Sequence, residues 1–195
     1  MSTTMKYASL DLGTIEAICN KLGGLEGVRR FLADELRLAV PQFAVWRTVR
    51  IGVHKNLDTL TKALKKFRIS DWALDILGKP AFTLAQTEED ISLCVATVKE
   101  LTGKNQATTT EIFDAIKRIG ELCPAEVGPA LRESYLDQPK GEWLRVAMEP
   151  IRDSDGYPYV FDVGHDDDVL WLNAYYAYPG LVWDGDDRVV FRSRK

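Results

Sequence analysis

The chain has 195 residues, 46% of them apolar and 28% charged, and a net charge of −4. These values exclude a disordered segment, which would lack the apolar residues to build a core, and they allow one domain or two small ones. No apolar run approaches the roughly 18 residues that span a bilayer, MSTTMKYASLDLG lacks the basic-then-apolar order of a signal peptide, and the scattered Cys19, Cys94 and Cys123 form no C-x-x-C pair. The expectation is a cytoplasmic protein with reduced thiols and no membrane association.

In chain order, Ile15, Ile18 and Leu22 share a helical face that Gly23-Gly24 ends, and Leu25, Val28, Leu32 and Leu36 continue as a second short helix up to Pro41. Val45, Arg47, Val49, Ile51 and Val53 alternate with Trp46, Thr48, Arg50 and Gly52, the period of a half-buried strand. Leu57, Leu60, Leu64 and Phe67 then share a helix face, with Lys62, Lys65, Lys66 and Arg68 on its outer side. Ser70 caps a short helix through Trp72, Ile76 and Leu77, closed by Gly78 and Pro80. Ile91 to Val98, rich in β-branched residues, reads as a second strand.

Thr108 and Glu111 form a capping box before Ile112, Phe113, Ile116 and Ile119. Pro124 opens a further helix carrying Val127, Leu131 and Tyr135. From Trp143 the period changes to 2, and Tyr159–Val163, Val169–Tyr176 and Arg188–Phe191 read as strands separated by HDDD and by the YPG and WDGDD turns. The expected architecture is α+β: residues 1–140 helix-rich with two short strands, and 141–195 an antiparallel β-meander packed on them as one unit.

The charge is unevenly spread, +3 over residues 1–120 and −7 over 121–195. Residues 149–187 hold ten acids against one base, Arg152, together with Trp171, Tyr175, Tyr176, Tyr178 and Trp183. The segments EPIRDSDG, WLNAYYAYPG and VVFRS, with AICNKLGGLEGVRRFL near the start and the TTTEIFDAIKRIG to PAEVGPALRE helix pair, resemble a family of small bacterial proteins of unassigned function. The resemblance covers most of the chain and implies no catalytic residue, cofactor or partner.

Chemistry is therefore read from residue types. Asp153, Asp155 and Gly156 spell D-x-D-G, with oxygens suited to Mg²⁺ or Ca²⁺, yet the further acids of a calcium loop are missing and hairpin turns favour the same residues. Paired carboxylates such as Glu149 and Asp153 would suit an acid/base hydrolase, and a divalent ion held by Asp153 and Asp155 a metal-assisted one. Neither a nucleophile elbow nor a phosphate loop occurs, and no cofactor is expected. The helix pairs, with Arg29, Arg30, Lys62, Lys65, Lys66 and Arg68, suit a nucleic-acid-binding regulator, against an acidic pI near 5.3. The favoured expectation is a non-enzymatic protein that binds a partner, a basic protein by charge, through an acidic-aromatic surface. Its expected contacts are Asp166, Asp167, Asp168, Tyr178, Trp183, Asp184, Asp186 and Asp187.

Overall fold

The computed structural model describes residues 11–35 and 43–194, in two compact units that divide between Pro41 and Gln42. The smaller unit is a helical hairpin. Helix α1 (Leu12–Lys21) starts at Asp11, whose carboxylate accepts the Thr14 N–H at 2.6 Å. Helix α2 (Gly24–Leu32) follows from Gly23 and Gly24, both at positive φ. The expected helix pair is present; Leu36 and Pro41, assigned to its end, lie outside the described residues.

The larger unit is built on one curled sheet. In chain order its elements are β1 (Arg47–Ile51), α3 (Leu57–Leu64), β2 (Arg68–Ile69), α4 (Asp71–Leu77), β3 (Glu89–Thr97), α5 (Val98–Thr102), β4 (Gln106–Thr108), α6 (Thr109–Ile119), β5 (Gly120–Glu121) and α7 (Val127–Ser134). There follow β6 (Trp143–Val146), β7 (Ile151–Arg152), β8 (Pro158–Asp166), β9 (Val169–Tyr176), β10 (Val182–Asp184) and β11 (Arg188–Ser193). Nine strands form the sheet, in the order β1-β3-β11-β6-β8-β9-β2, with β5 on β11 and β7 on β8; β10 and β4 make a separate ribbon.

The fold is thus α+β, but strand-rich where a helix-rich portion with two strands was expected. The C-terminal strands also depart from a meander. Consecutive strands pair as hairpins at β8–β9 and, across the Asp153–Gly156 turn, at β7–β8. The last strand, β11, enters between β3, which it pairs antiparallel, and β6, which it pairs parallel. Strands from before and after residue 141 therefore share one sheet, with β11, β6, β8 and β9 lying between β3 and β2. The reason is burial: Val189, Val190 and Phe191 are apolar on both faces, and such a strand belongs in the middle of a sheet.

Local signals set most helix starts. Asn56, Ser70 and Thr108 cap α3, α4 and α6, and Thr108 with Glu111 makes the reciprocal box expected of them. Pro124 does not open α7 itself; its carbonyl accepts the Val127 N–H in the turn just before. Alternation on β8 then decides the layers. Phe161 meets the bare backbone of α7 at Gly128, where an added Cβ would come within 2.6 Å of its ring. On the opposite face Asp162 and its cross-strand partner Arg145 lie under Trp183 of β10 and α6 beyond it.

Candidate binding surface

Tyr159 stands directly across from Tyr176 in the β8–β9 ladder, and the Ala177 N–H donates to the Pro158 carbonyl at 2.8 Å, which carries the pairing outward. Side chains two residues apart on a strand share a face. Tyr157-Pro158-Tyr159 and Tyr176-Ala177-Tyr178 consequently set four rings on one side. Tyr159 stacks on Tyr176 with centroids 4.5 Å apart and Tyr176 on Tyr178 at 5.9 Å, while Tyr157 stands edge-on to both outer rings. Trp72 of α4 extends the series, stacked on Tyr159 at 6.3 Å.

Much of this cluster faces water. Trp72 is 52% exposed, Tyr157 46%, Tyr176 40% and Tyr178 37%. Tyr159 is the buried floor, and its hydroxyl has no hydrogen-bond partner. Burial, with Tyr176 alongside, raises the Tyr159 hydroxyl well above the ordinary tyrosine range, and partial burial beside Tyr157 and Tyr176 raises Tyr178.

The turn before Tyr157 is fastened to α4. Asp153 Oδ1 accepts the N–H groups of Asp155 and Tyr157 at 3.0 and 2.7 Å. Asp75 accepts the Ser154 N–H at 2.7 Å and its hydroxyl at 2.9 Å, and pairs with Lys79. Lys79 and the Ser154 bonds hold the Asp75 carboxyl below its usual range. Asp153 and Asp155, the candidate metal ligands, therefore sit in a turn that shapes one side of the aromatic face, and among the described residues no three ligating side chains gather. They leave carboxylates beside it, and the charge of Asp153 acts on the Tyr159 and Tyr178 hydroxyls. Of the nearby cations, Lys79 is paired with Asp75 and Ser154, while Arg152 donates to the neutral Gly156 carbonyl and keeps its charge near Tyr178.

The remaining expected contacts are elsewhere. Asp166, Asp167 and Asp168 form the β8–β9 turn, about 23 Å from Tyr176 at the usual rise of a strand. Asp167 and Asp168 both have positive φ, the conformation of a tight two-residue hairpin, and Asp168 pairs with Lys140. Trp183 is a correction: it is 1% exposed, packed edge-on to Phe113 and Tyr175, and is not a surface contact. Alternation on β10 turns it inward while Val182 and Asp184 face out. Asp184 accepts from the Gln106 amide, Asp187 accepts the Asp184 N–H, and Asp186 is exposed beside them. Asp187 also pairs with Arg145.

Behind that pair lies a buried polar cluster. The Arg145 guanidinium rests 3.8 Å from the Tyr175 centroid and 5.0 Å from that of Trp183. Asp162 Oδ1, Arg145 Nε and Trp183 Nε1 are buried without hydrogen-bond partners. Burial, reinforced by Asp187, pushes the Asp162 carboxyl up to about 7 against the opposing pull of Arg145.

The basic candidates are dispersed. Arg29 pairs with Glu26 and Arg30 with Glu35 in the helical hairpin. Lys65, Lys66 and Arg68 are exposed and Lys62 is also exposed on α3; Lys66 covers Phe67 and Arg68 covers Trp171. The later helix pair offers no recognition helix, because α7 is packed into the core and its Arg132 is fully buried, bonded to Gln138 and to the Gly164 and Tyr135 carbonyls.

Sequence reasoning missed Trp72 and Tyr157 as surface partners of Tyr178, and Tyr159 as the buried floor beneath them. Two Y-x-Y spacings on facing strands are the signal that could have found them; Trp72 carries none. No family model matches the chain, and neither the curated proteins nor the solved structures contain a match to it.

Proposed function

We propose that the protein is a non-enzymatic binding module that captures a basic polypeptide segment on the face formed by Trp72, Tyr157, Tyr176 and Tyr178. The carrying observation is the exposure of four contiguous aromatic rings over the buried Tyr159. Tyrosine and tryptophan supply large contact area at low entropic cost and dominate protein-binding hot spots. A guanidinium or ammonium gains cation–π attraction over such rings and Coulombic attraction from Asp153 and Asp155. The same carboxylates oppose a phosphate backbone. Free thiols at Cys19, Cys94 and Cys123 fit action in a reducing cytoplasm.

Titration calorimetry with an arginine-bearing peptide and its glutamate counterpart tests the reading. The expected result is binding of the first alone, weakened about tenfold by Tyr178→Ala with Tyr157→Ala. Equal affinity for both peptides, or no change in the variant, overturns it. A nucleic-acid function is favoured instead if duplex DNA shifts in a gel at low salt and the shift is lost on replacing Lys62, Lys65, Lys66 and Arg68.

A further inference from the structure

On the face of α7 away from the aromatic cluster's strands, a pocket of about 270 Å³ opens between α7, α3 and the segment after β1. Glu126, Ala130 and Glu133 line it at helical spacing, so one side of the pocket is a trough with a carboxylate at each end and a small residue between. The two carboxylate-bearing positions are about 10 Å apart along the axis. Val53 and Leu60 supply apolar walls.

The charges at the two ends are unequal in their partners. Glu133 Oε2 lies 2.8 Å from His54 Nε2. Glu126 is 2% exposed, and its oxygens accept the Gly52 N–H at 2.8 Å and the Ala85 N–H at 2.7 Å. Among the described ion pairs none includes Glu126. Buried carboxylates are ordinarily paired with a cation, and each oxygen of Glu126 keeps a second lone pair after its backbone bond. Arg50, which also lines the pocket, is already held by Asp90 through two hydrogen bonds and by Glu88. The surroundings are fixed: Gly52 has a φ of 75°, and a Cβ there would strike the Thr87 carbonyl at 2.2 Å, so the backbone donor to Glu126 cannot be remodelled cheaply.

We propose that this pocket is a binding site for a small organic cation, a primary amine with an apolar body. Its ammonium group pairs with Glu126, and the body covers Ala130 toward the His54–Glu133 pair. A metal ion is disfavoured by the donor set, since no group of three ligating side chains forms among the described residues. An anion is disfavoured by the two carboxylates. The site is separate from the aromatic face and does not depend on the reading given to it.

Benzylamine, benzyl alcohol and benzoate are matched in shape and differ in charge, and are the probes. Each is titrated into the protein while the backbone amide signals of Gly52 and Ala85 are followed by NMR. Benzylamine is expected to shift both amides saturably, benzyl alcohol to bind about tenfold more weakly, and benzoate not to bind. Ala130→Leu, which fills the trough, is expected to abolish the shifts in a protein that stays folded, and Glu133→Gln to weaken them. Glu126→Gln is not required, because it could unfold the loops that Glu126 fastens. Equal binding of amine and alcohol, binding that survives Ala130→Leu, or no saturable shift with benzylamine overturns the proposal. Shifts confined to Tyr176 and Tyr178 report the aromatic face and likewise count against it.

Discussion

The two faces of the β8–β9 hairpin carry the same kinds of residue and use them in opposite ways. On the face toward β10, Asp187 grips Arg145 and Trp183 is buried against Tyr175, while Asp167 and Asp168 form the distant turn at positive φ. On the opposite face, at the open end, the Asp153 turn is fastened to α4 and the tyrosines are left in water. A dense stretch of acids and aromatics in the sequence is thus drawn out along strands into two regions, one structural and one exposed. Proximity along the chain does not make a site; register does.

The largest effect that would break this contrast is at Arg145. Its replacement by Met leaves Asp162 and Asp187 without their cation, and a destabilisation of about 3–5 kcal/mol is expected in urea unfolding. A loss below about 1 kcal/mol would mean that the buried face is not held together as described.

Asp162 sharpens the same point through pH. Its folded value of about 7 lies above the ordinary carboxylate value of 3.8, so between these limits the folded state keeps a proton that the unfolded chain has released. Stability therefore falls as pH rises from about 4 to about 7. Asp162→Asn should remove that slope and stabilise the protein at pH 8 by on the order of 3 kcal/mol, with little change near pH 4. Parallel stability curves for the two proteins would refute it.

Smaller effects belong to the open end. Tyr157→Ala with Tyr178→Ala should cost about 1 kcal/mol or less in stability, since both rings are largely hydrated, while reducing capture of the arginine-bearing peptide about tenfold. A large stability loss would recast the rings as core. The smallest change is expected at the turn. Asp167→Asn with Asp168→Gly suits two consecutive positive-φ positions better, and should raise stability by about 0.5–1 kcal/mol in thermal or urea melts despite losing the exposed pair with Lys140. A drop would show that the aspartates do more than form a turn.

Much of the local structure was legible because short-range chemistry dictates it. Thr108 with Glu111, Ser70 and the Gly23-Gly24 stop are each decided within a few residues. Strand β9 matched its alternation because it presents unlike faces. The position of β11 was hidden, since Val189-Val190-Phe191 states that both faces are covered and says nothing of which strands flank them. Trp183 misled for a related reason: β10 is three residues long, too short for its period to declare an inward side. Asp162, amid Val160, Phe161 and Val163, could be read as apolar-run punctuation, and only the cross-strand Arg145 explains it. The exposed rings required the Tyr159–Tyr176 register and a tryptophan from a helix far away in sequence.

The central place of β11 also bears on the order of events during synthesis. Residues 188–193 emerge after every other strand, yet β3 and β6 meet only through them. A nascent chain halted before Arg188 would leave the edges of both strands exposed, the kind of surface that chaperones shield and neighbouring chains invade. Completion of the sheet must then wait for the distant pairing of residues 89–97 with 188–193, a slow step for a contact so remote in sequence. Chains that stop early would carry their own mark for removal.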